Sequence, residues 1–415
     1  MKPQTWWKAK PVSGPDAFGR DDLEGQASQI TVLLGLGRQL ALMREYGAAK
    51  GKGLAAGAMA AQSGDQPVPP PPPAQTEAEI ASKLKEDFAT YSSNEIDIEI
   101  PQLKFETGVV GQLQAFGDEA TRAIARDAAS AEGSDTKRKK QHDLAGRVFA
   151  RQEPDTAAEL VLAELASDHE AVRIAAAAAA VLMDAHSPEV ERILSAGATS
   201  GDPAIEPLAR QALAMANPSH DLTKEWEAEG PGAPPGPPRG TSLLIHGTFA
   251  RRQPWWQPGG DYHTYFGHEV RNDLYGGTDR YDWTGAYSHP ARDLAARELV
   301  AWLEARRGPS SHPPILVAHS HGGTAAFLAT HYGLEIDLLV LLSVPAHPAR
   351  WLPDFSRVRR IVSFRVRNDW VILADGGRQR FSDPRIEEHI LPMSFDHSAT
   401  HYPDVWREHR LANRL

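Results

Sequence analysis

Residues 315–328 read ILVAHSHGGTAAFL. A short apolar run ends at a serine between two histidines, and two glycines lead at once into a stretch with helical spacing. A run of this length bounded this way predicts a buried strand that turns sharply into a helix. Such a junction commits the chain to a parallel sheet, because the helix must carry it back before the next strand can align. The rest of the chain after Gly240 keeps the rhythm. TSLLIHGTF (241–249) predicts a strand, DYHTYFGHEVRNDLY (261–275) a helix, and RYDWTGAY (280–287) a short strand. PARDLAARELVAWLEARRG (290–308) predicts an amphipathic helix closed by glycine. IDLLVLLSVPAH (336–347) and RRIVSFRVRND (359–369) predict further strands. EEHILPMSFDH carries the last strand, and YPDVWREHRLANRL the closing helix. The expected class is α/β, with a parallel sheet covered on both faces.

The region before Gly240 is different. Proline and glycine dominate 229–240 (EGPGAPPGPPRG), and prolines dominate 67–76. Both predict linkers. The expected organisation is an N-terminal helical segment at 1–66, the linker at 67–76, a helical domain at 77–228, the second linker, and an α/β domain at 241–415. The helical domain contains two similar stretches, SDHEAVRIAAAAAA from Ser167 and GDPAIEPLARQALA from Gly201. Each opens with an aspartate, Asp168 or Asp202, placed to cap a helix. The offset suits a helix–turn–helix repeat and resembles HEAT-like repeats; a plain alanine-packed bundle is the other reading. NEIDIEIPQL (94–103) alternates Ile96, Ile98 and Ile100 with Asp97 and Glu99, which predicts a strand needing a partner.

Composition narrows the function. The net charge is −10, which argues against a nucleic-acid partner. There is no cysteine, so disulfides and thiolate chemistry are excluded. No HExxH pattern is present, and neither a catalytic metal nor a cofactor is expected. The apolar stretch 30–43 carries Arg38 and is too short for a membrane span; it predicts a packed helix. MKPQTWWKAKP has no apolar run after its lysines, so no signal peptide is visible. A cytoplasmic protein is expected, with export lacking a signal peptide left open.

In a parallel α/β sheet, chemistry sits where strands end and helices begin. A serine at a sharp strand-to-helix turn projects its hydroxyl from the sheet edge, and small residues two before and two after let the turn close. Here these are Ala318 and Gly322 around Ser320. On AHSHGG and the surrounding pattern, residues of about 240–415 resemble the α/β-hydrolase superfamily, particularly its lipase- and esterase-like members. Ala318 stands where that family usually has glycine.

The resemblance implies a Ser–acid–His order along the chain. Ser320 would be the nucleophile. Asp369, at the end of the strand stretch 359–369, would be the acid, with Asp375 as its rival. His397 follows the last strand, with His401 as its rival. Two N–H groups would stabilise the oxyanion: that of His321, and that of Thr248 or, as the alternative, Phe249. His246-Gly247 resembles the His-Gly oxyanion motif of lipases. Trp255 and Trp256, together with Phe249 and His246, would line a substrate pocket, or the tryptophans would only pack the loop. The stretch from Val344 to Asp369 is too short for a large cap, which predicts cover mainly from the loop 250–265. The expected activity is hydrolysis of carboxylic esters, lipid or small-molecule, through an acyl-enzyme on Ser320. An acyltransferase or thioesterase, or a non-catalytic scaffold with a relic hydrolase fold, are the alternatives. The helical region would serve as scaffold or as the surface for a protein partner.

Overall fold

The computed structural model describes residues 4–60, 98–104, 133–228, 242–275, 280–306, 312–347 and 351–415. The expected linkers at 67–76 and 229–240 lie outside them. The chain forms two compact units, one of Ala9–Gly197 and one of Met1–Lys8 with Ala198–Leu415. Residues 198–228, expected to belong to the helical domain, thus group with the sheet.

The first unit is helical. It contains α1 (Leu23–Ala60), α2 (Ser134–Arg151), α3 (Pro154–Ala163), α4 (Glu170–Leu182) and α5 (Pro188–Gly197). The alanine run has a steric purpose. All of 174–182 in α4 is buried, and α4 lies so close to α1 that a Cβ on Gly37 would stand 2.7 Å from the Ala179 Cβ. Only small side chains permit that approach. The alternating segment near residue 100 is not a strand over its described residues, 98–104. Ile98 and Ile100 are buried, and Ile100 packs on Gly35 of α1. The Gln39 side chain donates to the Pro101 carbonyl at 2.9 Å and accepts from the Leu103 N–H at 2.8 Å. A helix side chain here replaces the strand partner that the alternation called for.

The second unit begins with α6 (Ile205–Ala216) and α7 (Asp221–Glu227). The two repeat-like stretches therefore fall in different units, α4 in one and α6 in the other. Then follow β1 (Ser242–Ile245), α8 (Asp261–Tyr265), α9 (His289–Arg306), β2 (Ile315–His319), α10 (His321–His331), β3 (Ile336–Leu342), β4 (Val358–Arg365), α11 (Trp370–Asp375), β5 (Ile386–Ile390) and α12 (Pro403–Glu408). The five strands are parallel and lie in the order β1-β2-β3-β4-β5. β1 and β2 are buried throughout, as expected of parallel strands covered on both faces. The expected strand at 280–287 does not form. Its Tyr281 and Trp283 are buried instead, and its backbone is used by the loop after β1.

One bridge locates the site. Leu274 pairs in parallel with Ser242, on the side of β1 away from β2. From β1 the chain thus steps outward to Leu274, then returns past β1 to β2. The direction of strand addition reverses there, and right-handed crossovers send connections made in opposite directions to opposite faces. Tyr262 and Phe266 accordingly pack on Trp406 of α12, at ring separations of 5.6 and 5.8 Å. In open α/β sheets generally, ligands bind at the carboxyl ends of the strands that flank such a reversal.

The N-terminus and α6 join the sheet through α11. Trp6 is fully buried, with its ring 5.2 Å from that of Trp370. Its indole N–H donates to Asp202 at 3.0 Å. Asp202 also accepts from the Ala204 and Ile205 N–H groups at 3.0 and 3.2 Å, capping α6. Gln211 of α6 donates to the Val371 carbonyl of α11 at 3.3 Å. Asp202→Ala removes a cap and leaves a buried indole N–H unpaired. It should destabilise the sheet-bearing unit by about 2–4 kcal/mol in urea denaturation; a loss under about 0.5 kcal/mol would show that Trp6 does not anchor this unit.

Candidate active site

Ser320 sits directly between β2 and α10 with φ 50° and ψ −134°. This is a strained conformation for a residue with a Cβ. Its N–H donates to the Leu342 carbonyl at the end of β3, at 2.9 Å. Eight non-glycine residues with positive φ occur among the described residues, and four of them crowd this end of the sheet. They are Phe249 after β1, Ser320 after β2, Ser343 after β3 and Phe395 after β5. Such conformations persist only where the surrounding structure over-determines them.

The loop after β1 is pressed against this turn. A Cβ on Gly247 would lie 2.7 Å from the Ser320 Cβ, and one on Gly322 would lie 2.5 Å from the His246 carbonyl oxygen. The His246 ring is fully buried. Its nitrogens lie 2.8 Å from the Gly247 carbonyl and 3.1 Å from that of Trp283. Its faces meet Trp256 and Trp283 at 4.5 and 5.6 Å. Trp256, also fully buried, donates to the Ala250 carbonyl at 2.8 Å. His246, expected against substrate, and Trp256, expected either there or packing the loop, are both buried within the loop's own packing. The Phe249 N–H is committed to the Gly285 carbonyl at 2.9 Å, which leaves Thr248 as the choice for a donor. The His321 N–H is the first of α10, where no carbonyl a turn behind can receive it.

Asp369 and His397 meet. Past the end of β4 the chain continues to pair: Arg367 N–H donates to the Met393 carbonyl and Phe395 N–H to the Asn368 carbonyl, both at 2.9 Å. This sets Asp369 opposite the 395–397 segment, and His397 Nδ1 donates to Asp369 Oδ2 at 2.7 Å. Asp369 Oδ1 accepts from Val371 and Ile372 N–H at 3.0 and 3.1 Å, so the same carboxylate caps α11. The Gln379 amide bonds both backbone groups of Asp369 at 3.1 Å each. With Nδ1 carrying the proton, a neutral His397 has its lone pair on Nε2, as a base requires. No hydrogen bond joins Ser320 Oγ to His397. The ring of His319, the residue before the serine, donates from Nε2 to the His397 carbonyl at 3.2 Å.

The rivals have other surroundings. His401 has no carboxylate; its ring stacks on Trp255 at 4.1 Å, and neither ring nitrogen has a hydrogen-bond partner. Burial, with the nearby charge of His397, pushes its pKa down to about 3. Burial likewise holds His319 well below the usual imidazole range, with His397 and His401 adding to the effect. Both are uncharged at neutral pH. Asp375 accepts from His321 Nε2 at 3.0 Å and His347 Nε2 at 2.6 Å. It has no hydrogen bond to His397. Two contributors had no signal in the sequence. Trp283 lay in a stretch that read as a strand, and Asp396, pushed up to about 6 chiefly by burial, adjoins His397 as one acid among many.

No helix among the described residues is long and apolar enough to cross a membrane. No group of three or more His, Asp or Glu side chains there is placed to hold a metal ion. No family model, curated protein or solved structure matches this chain.

The tight contact between loop and turn can be tested by one methyl group. Gly322→Ala gains at most about 1 kcal/mol of helix propensity but drives a Cβ into a backbone oxygen, which costs about 1–3 kcal/mol. It should lower stability in urea denaturation. Gly146→Ala, in α2 with nothing within 4 Å of its Cβ position, should raise stability by about 0.5–1 kcal/mol. Equal effects at the two sites would mean that the His246–Gly322 contact is not tight.

Proposed function

We propose that this chain is a serine hydrolase of the α/β-hydrolase type, acting on carboxylic esters. The observation that carries the proposal is the 2.7 Å His397–Asp369 hydrogen bond, placed beside a strained serine turn at the sheet's reversal point. Fold order supports it as well: the serine follows β2, the acid β4 and the histidine β5, each at a carboxyl end.

In this mechanism Ser320 Oγ attacks the ester carbonyl while His397 Nε2 takes the hydroxyl proton. The carbonyl oxygen becomes an oxyanion that accepts from the Thr248 and His321 N–H groups. Asp369 stabilises the imidazolium without taking a proton. As the tetrahedral intermediate collapses, His397 gives the proton to the departing alcohol, leaving an acyl group on Ser320. Water, deprotonated by His397, then releases the acid and restores the serine. A thioester donor or an alcohol acceptor would use the same acyl-enzyme, so thioesterase and acyltransferase activities share this site. A lipid or small-molecule ester is the proposed substrate. Trp255, stacked on His401 and edge-on to His319 at 5.5 Å, is the proposed aromatic wall of the site.

A fluorophosphonate probe should label Ser320 covalently, with no labelling of Ser320→Ala. His397→Ala should slow labelling by about 10³-fold or more, and His401→Ala by less than tenfold. Labelling that persists in Ser320→Ala would remove the nucleophile assignment. A wild-type protein inert to the probe would favour a scaffold built on this fold.

A further inference from the structure

The acid that does not serve His397 has three hydrogen-bonding partners. Asp375 Oδ1 accepts from the Tyr287 hydroxyl at 2.7 Å and from His321 Nε2 at 3.0 Å, and Oδ2 accepts from His347 Nε2 at 2.6 Å. Its side chain is 3% exposed. It is the last residue of α11, where the helix dipole disfavours a negative charge. Burial would raise its pKa, but the interactions with His321 and His347, hydrogen bonds among them, outweigh this and hold it well below the usual carboxylate range. The Arg292 guanidinium adds positive charge nearby, over the faces of Trp351 and Tyr287 at 4.9 and 5.1 Å. An ionised carboxylate at such a place needs a reason beyond local structure.

The first turn of α10 supplies one. Residues 321–324 are His-Gly-Gly-Thr, so only His321 and Thr324 offer side chains by which this turn can be held. Those two are bonded to each other, His321 Nδ1 to Thr324 Oγ1 at 3.1 Å, and His321 Nε2 runs on to Asp375. Burial pushes the His321 pKa down to about 4, against the pull of Asp375. A neutral ring with its proton on Nε2 satisfies both contacts at once: it donates to Asp375 and accepts from Thr324. The imidazole is thereby clamped at both ends, and with it the backbone that presents the His321 N–H.

We propose that Asp375 is a positioning residue which, through the side chain of His321, holds the His321 N–H on the oxyanion. The two acids then divide the work. Asp369 orients the base, and Asp375 orients the oxyanion donor. This rests on the hydrolase reading above and adds to it a residue that touches neither substrate nor base.

The test is the rate of fluorophosphonate labelling of the full-length chain, resolved into kinact and KI. The phosphoryl oxygen of the probe occupies the oxyanion position, so a misplaced donor slows the step and leaves the encounter intact. Asp375→Asn replaces an acceptor by a donor, so His321 or His347 loses its partner. It should lower kinact about 10- to 100-fold with KI within twofold. Tyr287→Phe removes one bond from Asp375 and should lower kinact less, about two- to fivefold, with the same split; it serves if Asp375→Asn does not fold. A wild-type kinact in Asp375→Asn, or a rise in KI alone, overturns the proposal. So does a dead Asp375→Asn beside an Asp369→Asn of wild-type rate, which would make Asp375 the partner of the base. A wild-type protein that is not labelled at all defeats the hydrolase reading itself.

Discussion

The contact between the loop after β1 and the turn after β2 is the constraint on which the rest of this site depends. Two stretches of backbone approach there to distances that exclude a Cβ, with the His246 carbonyl against Gly322 and Gly247 against Ser320. That approach is possible only because β1 and β2 are adjacent and parallel, in the register Ile245 opposite Ala318. Both chains therefore leave the sheet side by side and in the same direction. The same register locates the close contacts around residue 318. Ala318 is the last β1-paired residue of its strand, and the turn's steric demand falls on Gly322 and Gly247 instead.

Burying so many histidines in one region is costly, and the structure meets the cost unequally. His397 and His321 each have a carboxylate at a ring nitrogen. His319 has only a backbone carbonyl, and His401 only an aromatic face. Where a carboxylate is present the imidazole is fixed in one tautomer. Where it is absent, desolvation keeps the ring neutral. Neutral rings beside His397 leave it free of a second positive charge when it becomes an imidazolium, which favours proton transfer from Ser320 under the proposed mechanism.

The parts of this arrangement that were legible in the sequence are those encoded by local pattern. The strand–Ser320–helix junction shows as an apolar run stopped by small residues, and the other strands of the sheet show the same way. Asp369 and His397 could be named because each follows a strand by a short loop. What could not be read depends on which strands are neighbours. The alternation at 94–103 carries the period of a strand, but period reports only that one side is buried; Ile100 buries its side on α1. RYDWTGAY is apolar enough for a strand, yet Trp283 is needed to wall the His246 ring. The role of Asp375 was equally hidden. An Asp-Gly-Gly reads as a turn, and nothing local announces that His321, His347 and Tyr287 converge on it from three other segments.

The proline- and glycine-rich segment 229–240 shows how composition and contact can mark different boundaries. Composition marks where a chain cannot build a core, whereas contacts mark which residues share one. Residues 198–228 precede that segment and still belong with the sheet, as do residues 4–8. Their attachment is through α11, whose Trp370 meets Trp6 and whose Val371 carbonyl receives Gln211. α11 is six residues long, too short to be stable alone, and it begins just after Asp369 and ends at Asp375. The two acids that hold His397 and His321 are thus the flanks of one short helix. The N-terminal tryptophan and α6 supply the packing that this helix cannot supply for itself. On this view residues 198–228 are not a separate module attached to a sheet but part of what fixes its two carboxylates in place.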